Sequence, residues 1–66
     1  MNLYADTRSG SNGNTGTPVT VRDLDPATLR AAAHTQAKRL VGPGEEAHVT
    51  LYRQNGSVVW SAWCRP

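Results

Sequence analysis

Ala47-His48-Val49-Thr50-Leu51-Tyr52-Arg53-Gln54-Asn55-Gly56-Ser57-Val58-Val59-Trp60-Ser61-Ala62-Trp63-Cys64 is the stretch whose reading decides the fold. Two β-prone runs flank Asn55-Gly56. Asn-Gly in that setting is the strongest short hairpin signal, because a type I′ turn needs positive φ at both central residues. A two-residue turn there sets the register by counting outward. Gln54 faces Ser57, Arg53 faces Val58, Tyr52 faces Val59 and Leu51 faces Trp60. Thr50 then faces Ser61, Val49 faces Ala62, His48 faces Trp63 and Ala47 faces Cys64.

Opposed residues share a face, and faces alternate along each strand. One face collects Ala47, Val49, Leu51, Val58, Trp60, Ala62 and Cys64, with Arg53 as the misfit near the turn. The other carries His48, Thr50, Tyr52, Val59, Ser61 and Trp63. A slip of one residue scrambles this sorting, so the first face reads as core.

Upstream, Asp25 is a good N-cap and Pro26 suits the first helical position, where a missing N–H costs nothing. Leu29, Ala32, Ala33, Gln36, Ala37, Leu40 and Val41 recur at helical spacing with one polar member. Gly42 is expected to supply a left-handed cap, and Pro43 prevents continuation. The alanine-rich stripe lets this helix lie close on the hairpin's apolar face, around Trp60. Before it, residues 18–24 read as a strand with Val19 and Val21 on one face, and residues 2–7 as an optional further strand. Residues 8–17, rich in Gly, Ser and Asn, read as a flexible loop. The expected fold is one α+β domain over 1–66, with two layers and the order (β)-β-α-β-β. One helix packs on an antiparallel sheet of three to four strands.

With 66 residues the chain has room for one core, and a core this small is marginal without disulfides, metals or association. Cys64 is the only cysteine, so no intrachain disulfide forms, and a lone thiol fits a reducing compartment. No stretch has the apolar length of a membrane span, and Met1 is not followed by a signal-like region. These points lead to a cytoplasmic expectation. The glycosylation triplet Asn55-Gly56-Ser57 then carries no weight. The net charge of +2 is too small to demand a nucleic-acid partner. Its short length, initiator Met and arginine-biased cations suggest a bacterial or phage accessory protein.

Gly10, Gly13 and Gly16 recur every third residue, yet a phosphate loop needs a Lys-Ser/Thr pair opening a helix, and here the glycines lead into a strand. Cys64 and His48 fall on opposite faces of the hairpin, which separates a thiol from its base. Cys64, His34 and His48 have no metal-ligand spacing. Glu45-Glu46 read as solvated turn residues, and Asp23 and Asp25 serve helix capping. No cofactor, metal or catalytic group is expected.

Two surfaces remain. Arg30, His34 and Lys38, with Arg39 alongside, line one helix face at four-residue spacing, and a solvated outer face explains them more simply than phosphate contact does. Tyr52, Val59 and Trp63 with His48 make the second hairpin face more apolar and aromatic than exposure requires. The reading is a non-enzymatic interaction protein that self-associates or binds a protein partner through Tyr52, Val59, Trp63 and His48, acting on a host or phage molecule. The alternative is a small nucleic-acid binder. It sets Arg30, His34, Lys38, Arg39, Arg53 and Arg65 against phosphate and the sheet aromatics against bases.

Overall fold

A computed structural model describes residues 1–66 and contains five elements. They are β1 (Asn2–Ser9), β2 (Asn12–Thr20), α1 (Pro26–Leu40), β3 (Ala47–Tyr52) and β4 (Val58–Cys64). The four strands form one antiparallel sheet in the order β2-β1-β3-β4, with α1 packed on one face. The optional first strand is therefore real and central. β1 joins the two hairpins, pairing with β2 on one side and β3 on the other.

The helix begins as Asp25 dictates. Its carboxylate accepts from the N–H groups of Ala27 (3.1 Å) and Thr28 (3.4 Å), two of the donors that a helix start leaves unpaired. The end differs from expectation. Gly42 does not take a left-handed conformation; Val41 leaves the helix in extended backbone instead. Gly42-Pro43-Gly44-Glu45 then form a turn closed by the Glu45 N–H on the Gly42 carbonyl at 3.2 Å. Pro43 sits second and Gly44, with φ +86°, third, which is the arrangement a type II turn requires.

Leu29, Ala33 and Ala37 of the helix bury against Leu3, Ala5, Val19, Val21, Ala47, Val49, Leu51 and Cys64 of the sheet side. Ala33 and Ala37 are fully enclosed, and their small size allows the close helix–sheet approach. Thr7 lies in the same layer, and its buried hydroxyl has no hydrogen-bond partner.

The β3–β4 hairpin keeps the expected register from Ala47–Cys64 to Leu51–Trp60, and departs from it nearer the turn. The Gly56 N–H donates to the Arg53 carbonyl and the Arg53 N–H to the Ser57 carbonyl, both at 2.8 Å. Gly56 alone has positive φ (+91°) while Asn55 does not, so the two-residue type I′ turn is corrected to a three-residue loop ending in a left-handed glycine. Asn55 contributes through its side chain, which accepts the Ser57 N–H at 2.9 Å. The extra loop residue moves the pairing by one, so Tyr52 faces Val58. A bulge at Val59, between the Tyr52 and Leu51 pairs, restores it. Val58 and Val59 thereby exchange their expected faces. Val58 is 60% exposed, and Val59 packs on the core. Trp60 packs against the core as well, whereas Trp63 is 63% exposed.

Residues 8–17 are a correction. Instead of a loop, they complete β1, turn at Gly10-Ser11 and begin β2, with Ser9 paired to Asn12. Gly10 has φ +60° at the first central position, the pattern of a type II′ hairpin turn. At Gly13 a side chain has no room, because a Cβ would lie 2.9 Å from the Thr7 carbonyl oxygen.

Candidate functional site

The helix covers one face of the sheet, and the opposite face carries the side chains left over by strand alternation. Strand pairing arranges them in three rows. The first runs Gly13–Arg8–His48–Trp63, the second Asp6–Thr50–Ser61 and the third Pro18–Tyr4–Tyr52–Val58. The two outer rows are aromatic and the middle one is polar.

The polar row is tied into the rows beside it. Asp6 accepts the Tyr52 hydroxyl at 3.1 Å and the Gly16 N–H at 3.0 Å. Gly16 reaches it because β2 carries an irregularity between the Ala5 and Thr7 pairs, where Gly16 adopts φ +72°. Partial burial, followed by the nearby Asp6 carboxylate, raises the Tyr52 hydroxyl above the ordinary tyrosine range. Tyr52 stands with its ring centroid 6.0 Å from that of Tyr4, tilted by 30°. His48 meets Trp63 edge to face at 5.3 Å.

Ser61 Oγ lies 3.1 Å from His48 Nε2 and 3.5 Å from Thr50 Oγ1. A serine–histidine contact is one part of an acyl-transfer centre, and the other parts are a group orienting the imidazole and donors for an oxyanion. Here the flanking neighbours of His48 are Arg8 and Trp63, and no carboxylate hydrogen-bonds its ring. The contact works as a cross-strand tie between β3 and β4. Cys64 is buried on the helix side, away from His48, and burial pushes its thiol up toward the protonated form. No three His, Cys, Asp or Glu side chains gather as a metal cluster. No helix is long and apolar enough to cross a membrane.

The sequence-derived site residues fall into two sets on opposite sides. Tyr52, His48 and Trp63 share the uncovered sheet face, and Val58 joins them in place of Val59. Arg30, Lys38 and Arg39 are exposed on the helix, with His34 half-buried beside them, so they point away from the sheet aromatics. Arg53 is exposed at the β3–β4 turn. Arg65 forms an ion pair with Glu46. A single nucleic-acid strand lying flat on one face cannot touch both sets.

Sequence reading missed Tyr4, Asp6 and Arg8 as members of the face. Their signal was present in the alternation of Leu3, Ala5 and Thr7 with Tyr4, Asp6 and Arg8. Arg8 also lines a polar hollow of about 220 Å³ with Gly10, Ser11, Asn12, Gly13 and Thr15 at the β1–β2 tip. No family model, curated protein or solved structure matches the chain.

Proposed function

We propose that this protein is a small binding module that works through the uncovered face of its sheet and associates with a second copy of itself there. The observation that carries the reading is the position of Val58 and Trp63. Both are large, apolar and more than half exposed, and both lie on β4 beside the aromatic rows. Apolar side chains exposed in this way are stabilised by removal from water, and Tyr and Trp are enriched at the centres of protein interfaces. The polar row adds groups already satisfied within the chain, Asp6 by Tyr52 and Ser61 by His48. A partner that covers this row meets an Asp6 carboxylate already holding two hydrogen bonds, from the Tyr52 hydroxyl and the Gly16 N–H.

The magnitude sets the expected strength. Two Trp63 side chains, each 63% exposed, remove on the order of 300 Å² from water when they are covered. Even with the neighbouring residues, this lies toward the small, weak class of interfaces, below about 1,200 Å². Association is accordingly expected at micromolar rather than nanomolar protein.

The test is native mass against concentration for the wild type and for Val58→Ser with Trp63→Ser. The wild type should shift from monomer to dimer with rising concentration, and the double variant should stay monomeric with an unchanged circular dichroism spectrum. A wild type that remains monomeric at millimolar concentration overturns the reading. Retention on single-stranded oligonucleotide by the same aromatics would favour base stacking over self-association.

A further inference from the structure

The sheet ends in two edges of opposite character. On the β2 side the edge strand reads Asn12-Gly13-Asn14-Thr15-Gly16-Thr17-Pro18-Val19-Thr20. Pro18 removes a main-chain donor, and the irregularity at Gly16 breaks the straight run of the strand. Both are devices by which natural sheets prevent another strand from adding. β4, the other edge, reads Val58-Val59-Trp60-Ser61-Ala62-Trp63-Cys64. It has no charge, no proline and no glycine, and its one bulge is confined to Val59 at the turn end. Every second main-chain N–H and C=O of an edge strand points away from its neighbour and seeks a partner.

We infer that two copies join edge to edge through β4, pairing antiparallel about a two-fold axis at Ala62 to make one continuous eight-stranded sheet. This rests on the self-association proposed above and narrows its contact from the uncovered face as a whole to the β4 edge of that face, where Trp63 lies. The axis follows from the strand itself. Trp60–Cys64 is its regular part, beyond the bulge, and Ala62 is the middle residue. Trp63 then opposes Ser61 of the second copy on the uncovered face, and Trp60 opposes Cys64 on the helix side. No charged side chain falls within that pairing, so the strand meets its own copy without like-charge repulsion. A second copy fits because this register sets Trp63, 63% exposed, diagonally beside Trp63 of the copy on the same face. The aromatic rows of the two copies become one surface across the junction.

Amide hydrogen exchange of the intact chain, followed residue by residue by NMR at low and high protein concentration, tests this. Alternate amides within Trp60–Cys64 should slow at least tenfold at the concentration where the mass doubles, and amides of β2 should not change. A dimer in which the outward amides of β4 exchange as fast as in the monomer overturns edge pairing and leaves contact through the sheet face. A chain that stays monomeric overturns both, and slowing on β2 instead of β4 assigns the wrong edge.

Discussion

The two hairpins of the sheet solve one geometric problem with different materials. Each turns tightly on a glycine with positive φ, Gly10 in β1–β2 and Gly56 in β3–β4, and each departs once from regular pairing. In β1–β2 the irregularity is locked from outside by Asp6, which holds the Gly16 N–H and the Tyr52 hydroxyl together. In β3–β4 the bulge at Val59 is held from inside, because it returns Leu51 and Trp60 to the core face. Polar bonding specifies the first hairpin and apolar burial the second. The first consequently closes its edge of the sheet, and the second leaves its edge able to pair.

The comparison can be broken most severely in the core that both hairpins share. Leu3 in β1 and Leu51 in β3 are almost wholly enclosed. Leu51→Ala and Leu3→Ala should each cost about 2–5 kcal/mol in chemical denaturation, a large share of the stability of a domain this size. Equal costs would show that both hairpins fold as one unit. A cost confined to Leu51 would make β1–β2 an appendage.

The next effect isolates the polar lock. Asp6→Ala removes the acceptor shared by Gly16 and Tyr52, and should cost about 1–3 kcal/mol by the same assay. The expected NMR signature is a shift of the Gly16 amide together with the Tyr52 ring, while residues around Val59 stay put. A variant as stable as the wild type would mean that the irregularity in β2 holds itself.

Much of this fold was legible in the chain because burial writes itself into alternation. The strand pairs from Ala47–Cys64 to Leu51–Trp60 follow from apolar residues at every second position, and the helix from Asp25-Pro26 and its alanine stripe. The first hairpin was harder to read because its outer strand buries only Val19, and Gly, Asn and Thr resemble a loop in composition. Its pairing is held by main-chain bonds and the Asp6 lock, neither of which leaves a periodic trace. The turn at Gly56 misled in a different way. Asn-Gly signals two loop residues, and only the bulge at Val59 lets three fit the same core register. With the first strand optional in the sequence, Tyr4, Asp6 and Arg8 escape recognition as part of the uncovered face, although β1 is the strand that joins β2 to β3.

A smaller effect should carry the opposite sign. Thr7→Val replaces a buried hydroxyl that has no partner with a methyl group in a layer that is otherwise apolar. A gain of about 1 kcal/mol is expected on thermal or chemical unfolding. A loss instead would show that the hydroxyl is used.

The mildest test is pH. The Tyr52 hydroxyl is raised in the folded chain, so folding favours its protonated form. Its contribution is fully present below the unfolded tyrosine value near 10 and is lost as pH rises through the higher folded value. The wild type should therefore lose more stability than Tyr52→Phe as pH is raised past that point. Parallel profiles for the two proteins would remove Tyr52 from the pH response.

The most direct measurement of the central claim, that the β4 side of the sheet is where this protein associates, is sedimentation equilibrium of the wild type from about 50 mM to about 500 mM salt. The β4 contact is apolar and main-chain in nature, with no charge in the strand, so the dimer constant should stay within a factor of about three across that range. A dimer that dissociates steeply as salt rises would contradict the account, because it needs opposite charges brought together in the contact and β4 carries none.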